Sequence, residues 1–301
     1  MELAPEGKNF VIVKEHELPA LMKELEKYFP HSLKPDNRTN ESVGIFCPPD
    51  RLERMELIKD EDILFDWHSP IYMNFTHVGI MYKMEEIFRE KVKGKLDGHI
   101  YGDIYVHECP AELDLALEPL AADEVIMKPL CIDDVKDIHD LYPARDIECL
   151  ELFEKLVRQL PGFGVFTNLD NELAAWSLQS YYGGMFSMQT KPKFRRKGYG
   201  IQVAQSLTKL VIQRGYIPFV VIRPENDASR GLYMKLGFRK AFESVRGTFL
   251  PFVGEDPLPV KSAMGVENGT STEVEIPLEK QNALTRADTN GTLSEKEPVE
   301  C

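Results

Sequence analysis

Residues Ser187–Ser206 read SMQTKPKFRRKGYGIQVAQS, a stretch that changes character twice. An apolar strand pattern runs to Thr190, a basic turn follows with Arg195, Arg196 and Lys197, and beyond Gly198 the residues Val203, Ala204, Leu207, Leu210 and Val211 recur at helical spacing. The order is strand, basic glycine turn, helix. The first N–H groups of such a helix have no intrahelical acceptor and lie at the positive end of its dipole. Glycines at 198 and 200 allow a ligand to approach the backbone without meeting a Cβ. The stretch therefore reads as a seat for a phosphate or pyrophosphate, held by N–H groups from Lys197, Gly198, Tyr199, Gly200 and Ile201 and attracted by Arg195, Arg196 and Lys197. No Gly-Lys-Ser/Thr closes the turn, so it is not a Walker loop, and it lacks the GxGxxG of a dinucleotide fingerprint.

A second stretch, Pro218–Phe238 (PFVVIRPENDASRGLYMKLGF), combines an apolar run suited to a buried strand with a helix carrying Asn226, Ser229 and Tyr233 at i, i+3 and i+7. These three side chains share one helix face. Together, Arg195-x-x-Gly198-x-Gly200 and Asn226-x-x-Ser229-x-x-x-Tyr233-x-Lys235-x-Gly237-Phe238 resemble the two cofactor motifs of the GNAT acyltransferases. The resemblance implies a GNAT fold of the α/β (α+β) class, a mixed central sheet flanked by helices, with acetyl-CoA or another acyl-CoA as cosubstrate. It also implies that Asn226 lies near the pantetheine and Tyr233 near the thioester sulfur.

Within that superfamily, Leu160-Pro161, Gly164 to Phe166, Trp176-Ser177-Leu178 and the run Thr190-Lys191-Pro192-Lys193-Phe194-Arg195 resemble the glycine N-acyltransferase-like branch. The implied reaction moves an acyl group, acetyl above all, onto a primary amine of a small molecule, glycine or another amino acid among the candidates. Two departures stand beside it. Gly184 occupies the position at which the glycine branch carries a glutamate base, and Tyr233 belongs to the form common in generic N-acetyltransferases. The acceptor and the general base are therefore left open, with a water chain to Tyr181 or Tyr182 as one route for the proton. The rival reading is a catalytically weak acyl-CoA-binding or protein-interaction module.

Aminolysis of a thioester sets the remaining roles. The edge of the strand at Met188, Gln189 and Thr190 is expected to hydrogen-bond the pantetheine amides like an added strand. A backbone N–H at Met188 or Gln189 would polarise the thioester carbonyl. Tyr233, protonated at neutral pH, would deliver its proton to the departing thiolate.

Composition bounds the rest. The chain has 301 residues, 43% of them hydrophobic, enough for a packed core. A formal charge of −13 argues against nucleic acid and anionic membrane as partners. No apolar run approaches the roughly 18 residues of a spanning helix, and the acidic start MELAPEGKNF has no secretory or clear transit pattern, so a cytoplasmic location is expected, with mitochondria the alternative by family resemblance. The five cysteines form no CxxC pair and the seven histidines show no ligand spacing, so no metal is expected.

Three regions are expected: an α/β half over 1–120 that covers one edge of the core and walls the cleft, an acyltransferase domain over 121–253, and a disordered acidic tail over 254–301. In the first, strands are expected at 10–13, 43–46, 63–67, 72–81 and 100–106, with helices at 18–29 and 84–92. The second should hold a strand at 125–131, helices at 133–141 and 147–160, a hairpin from 164–168 and 172–179, and two last strands at 238–241 and 245–250.

Overall fold

The computed structural model describes residues 10, 13–28, 43–63, 65–107, 117, 119–143, 145 and 148–252. The tail expected over 254–301 lies outside them, as do residues 11 and 12 of the strand expected at 10–13. In chain order the described elements are α1 (Leu18–Glu26), a 3-10 stretch (Pro49–Asp60), β1 (Ile71–His77), α2 (Val78–Val92), β2 (Lys95–Val106), β3 (Val125–Pro129), α3 (Val135–Asp140), α4 (Leu150–Gln159), β4 (Gly162–Thr167), β5 (Leu173–Gln179), β6 (Met185–Thr190), α5 (Tyr199–Gln213), β7 (Phe219–Ile222), α6 (Asp227–Lys235) and β8 (Arg239–Leu250). The strands form one mixed sheet in the order β1-β8-β2-β7-β6-β5-β4-β3. Every junction is antiparallel except β6–β7, which is parallel.

Helices cover both faces. On one, α5 and α6 bury Ala204, Leu207, Val211 and Tyr233 against Met185, Val220 and Ile222. On the other, α3 and α4 bury Ile138, Phe153 and Leu156 against Ile104, Val106, Trp176 and Phe186. Adjacent residues of β2 and β7 join opposite clusters, as the two-residue period of a strand requires. The α2 helix packs Met81, Met84 and Phe88 over Met73, Val245 and Phe249 of β1 and β8. Among the described residues no helix is long and apolar enough to cross a membrane.

The first 120 residues do more than cover an edge. β1 is an edge strand, but β2 is inserted between β7 and β8, pairing with both. Residues 102–106 of β2 are buried throughout, which suits only an interior strand. The two last strands expected at 238–241 and 245–250 are the single strand β8. Ser244, in the gap between the two expected strands, is fully buried and its hydroxyl donates to the Gly102 carbonyl at 2.6 Å.

Other expectations in this half shift for local reasons. The strand expected over 72–81 ends at His77, whose Nδ1 accepts from Gly79 N (3.1 Å) and so caps α2 six residues before its expected start at 84. No strand forms at 43–46, where Val43 N donates to Tyr72 O (2.9 Å) without a continuing ladder. Nor does one form at 63–67 among its described residues; Trp67 is buried there and its indole N–H donates to the Glu61 carbonyl.

Candidate active site

The turn from β6 to α5 runs through a 3-10 stretch, Pro192–Phe194, and then places Arg196 (φ 68°) and Gly198 (φ 79°) in the left-handed region. Left-handed residues alternating along a turn bring successive N–H groups to one concave side, a form that suits anions. Gly198 is the N-cap of α5 and supplies no side-chain acceptor, so the first N–H groups of that helix are left for another partner. A Cβ at Gly198 would meet nothing within 4 Å, so its glycine answers to φ, whereas a Cβ at Gly200 would come to 3.2 Å from Thr190 Oγ1. Tyr199 departs from a surface role: its ring is buried against Phe194, Val165 and Val203, leaving only its backbone for a ligand. Ile201 likewise packs its side chain toward α6 and β6.

The basic side chains are tied down loosely. Arg195 Nε donates to the Thr190 carbonyl at 3.3 Å, and Lys197 Nζ lies 3.6 Å from Glu124. Both partners of the latter are half exposed, so an incoming polyanion displaces that contact at little cost.

Upstream of the turn, β6 is bulged. Gln189 pairs with Trp176 and Phe186 with Leu178, so Ser187 and Met188 together oppose Ser177. Ser187 takes φ 51°, an uncommon conformation for a residue with a Cβ. A bulge withdraws backbone groups from the ladder and kinks the strand. On its other side β6 meets β7 in register only at Met185 and Val220, and beyond that point the two strands part. A cleft of about 470 Å³ occupies the opening.

That cleft gathers Met188 and Gln189 from β6, Asn226 at the cap of α6, and Ser229 and Tyr233 from α6, whereas no residue of Arg195–Gly200 is among its lining. Gln189 is held by its Nε2, which donates to the Leu141 carbonyl at 2.8 Å. Asn226 Oδ1 accepts from Ser229 N at 3.1 Å and so caps α6, which fixes its side chain at the cleft rim. Tyr233 is 3% exposed, its ring edge-on to Phe238 at 5.1 Å. Burial pushes its phenol well above the usual tyrosine value, a shift only partly opposed by the Ser177 hydroxyl facing it. Ser177 Oγ itself completes no hydrogen bond of full geometry.

Position 184 has little room for any side chain. A Cβ there would fall 2.8 Å from the Tyr182 ring and 3.0 Å from that of Phe219, so two buried aromatics fill the space a longer side chain would need. The cleft instead holds charge from elements without a motif. Arg246 of β8 lines it, and its Nη1 donates to Glu148 Oε1 at 3.1 Å, with both residues buried. Burial raises the Glu148 carboxyl, and the Arg246 charge opposes that rise. Tyr142, Tyr182 and Arg223 share the cleft. Of this group only Tyr182 was legible in sequence; a lone arginine within a strand was the sole signal for Arg246.

The model of the FR47-like protein family matches residues 162–247, which contain both motifs and the parting strands. Among solved structures, a Drosophila protein from a structural genomics consortium is similar with a TM-score of 0.58 and 19% identity, over 78% of this chain and 88% of its own. A GNAT-family acetyltransferase from Colwellia psychrerythraea gives 0.41 and 16%, covering 66% of this chain and 72% of its own. A putative GNAT-family acetyltransferase from Novosphingobium aromaticivorans gives 0.39 and 16%, over 53% and 68%. No curated protein matches the chain. The likeness to the Drosophila protein is one of fold, which in this chain is an open mixed sheet with a single parallel junction and helices on both faces.

Proposed function

We propose that this protein is an acyl-CoA-dependent N-acyltransferase acting on the primary amine of a small molecule, with acetyl-CoA the simplest donor and amino acids, glycine among them, the candidate acceptors. The observation that carries this reading is the parting of β6 from β7 directly upstream of a glycine turn with vacant helical N–H groups. The turn binds the pyrophosphate, the pantetheine lies in the opening, and the thioester carbonyl reaches the bulge at Ser187 and Met188, where N–H groups of Met188 or Gln189 polarise it. The amine attacks that carbonyl carbon and the C–S bond breaks. Tyr233 gives its proton to the thiolate, and the nitrogen releases one proton to water, from which Tyr233 is reprotonated.

The test is thiol release from acetyl-CoA across amino acids, arylalkylamines and polyamines, run beside calorimetry of acetyl-CoA binding. Gly198→Val, which loads a branched Cβ onto a left-handed residue at the turn, should weaken acetyl-CoA binding by about tenfold or more while the melting transition persists. Tight binding without thiol release from any amine favours the second reading, a CoA-binding module, which the packed glycine at position 184 supports.

A further inference from the structure

Two hydroxyls at the bulge of β6 are buried without a hydrogen bond of full geometry, Ser177 Oγ on β5 and Ser187 Oγ on β6. Ser177 is fully buried as a residue. A buried polar atom left unpaired is costly, so such atoms are uncommon in folded proteins and call for a reason. Alanine at position 177 would carry no such cost, so packing alone gives no reason for a serine there.

The placement of the two serines supplies one. Trp176 and Leu178 both pack toward α3 and α4, so Ser177 between them faces the side of α5 and α6, where Tyr233 lies. On β6, Phe186 also packs toward α3 and α4, and Met188 packs toward α5 and α6. By alternation from Phe186, Ser187 lies on the Met188 side, and the extra residue of the bulge sets both of them opposite Ser177. Residues opposed across two strands stand about 5 Å apart at Cβ, a gap that two hydroxyls, or two hydroxyls and one water, can span. Burial pushes the Tyr233 phenol up, and the Ser177 hydroxyl opposes that rise, as a donor to the phenolate oxygen does. Ser187 and Tyr233 both line the cleft, and Ser177 stands behind its wall.

Tyr233 requires such neighbours under the acyl-transfer reading, on which this inference rests. At 3% exposure, a bare phenolate at Tyr233 is strongly disfavoured. Loss of its proton to the thiolate is therefore easiest when a replacement arrives in the same step. We propose that Ser177 and Ser187 form a hydroxyl relay that returns a proton to Tyr233 from the cleft. As the Tyr233 O–H bond breaks and the S–H bond of CoA forms, Ser177 passes its hydroxyl proton to the Tyr233 oxygen and takes one from Ser187. Ser187 takes one in turn from water in the cleft, and the hydroxide left there is neutralised by the proton that the attacking nitrogen releases. Each of the three residues ends the cycle with the hydroxyl it began with. Both serines act through Tyr233 and are positioning residues.

The relay can be read without turnover. In the full chain labelled with 13C at tyrosine Cζ, the Tyr233 resonance is assigned by its loss in Tyr233→Phe, and exchange of its hydroxyl proton with solvent is measured from the isotope shift in mixed H2O and D2O. Ser177→Ala should slow that exchange by about tenfold or more, and Ser187→Ala should do the same, which keeps the test open if one variant fails to fold. Exchange as fast in the folded variants as in the wild type would overturn the relay. With acetyl-CoA and an amine that gives thiol release, Ser177→Ala should lower kcat by about tenfold and leave KM for acetyl-CoA unchanged. In a Tyr233→Phe background the same substitution should change nothing, because no phenol is left to recharge. An equal fall in kcat in both backgrounds would make Ser177 a packing residue and overturn the relay. Absence of thiol release by the wild type with every amine would instead sink the acyl-transfer reading, and the hydroxyl exchange then decides the relay by the same two outcomes.

Discussion

Tyr233 packs its ring in the core, and under the proposed mechanism its hydroxyl is the acid for the leaving thiolate. Its ring is edge-on to Phe238 in the α5–α6 core, and the residue is part of the cleft lining. Tyr233→Phe keeps the ring and removes the oxygen, so acetyl-CoA affinity and melting temperature should hold while kcat falls by about 10²- to 10⁴-fold where chemistry limits the rate. The pH profile follows from the direction of the shift. Burial raises the phenol above its ordinary value of 10.0, so the proton it donates is still present as pH passes through 10, and wild-type kcat should show no fall there from loss of this acid. A descending limb near the ordinary tyrosine value, absent in Tyr233→Phe, would show that the hydroxyl is solvated and not enclosed as described. Stopped-flow rates between pH 7 and 10.5 make the comparison.

At the scale of elements, α6 depends on Asn226, the residue just before it. Asn226 is expected beside the pantetheine, and what the structure shows is its task as the N-cap, accepting from Ser229 N. Removing a cap costs about 1 kcal/mol, roughly 2–4 °C in a domain of this size. Asn226→Ala should therefore lower the melting temperature by that amount, and Asn226→Asp should restore it, both read by calorimetric scanning. A melting temperature unmoved by Asn226→Ala would show that the cap contributes no measurable stability. The start of α5 is the converse case, a helix whose Gly198 cap offers no side-chain acceptor and leaves its N–H groups for a ligand.

For the whole molecule, the insertion of β2 between β7 and β8 makes the two halves of the chain a single sheet. A fragment of residues 119–252 would retain both motifs but leave β7 and β8 unpaired along the edges that β2 and β1 occupy. Unpaired buried backbone groups each cost about as much as a lost hydrogen bond. The fragment should therefore show no cooperative unfolding in circular dichroism. A sharp transition within a few degrees of the full chain would mean that residues 119–252 fold alone, and that β2 is an addition to a complete domain.

The sequence alone determined the strand–turn–helix at Ser187–Ser206 and the helix that carries Ser229 and Tyr233, because glycine freedom and helical periodicity act over a few neighbouring residues, whereas Asn226, expected on that helix, caps it from outside. It also carried α4 and the β4–β5 hairpin, whose partners are close in the chain. The position of β2, the bulge at Ser187 and the Arg246–Glu148 pair were decided by tertiary structure. Each depends on which strand lies alongside, and Arg246 and Glu148 stand 98 residues apart. An interior place in a sheet is won by competition among distant strands for the same backbone donors and acceptors, a contest that no local pattern in the chain records.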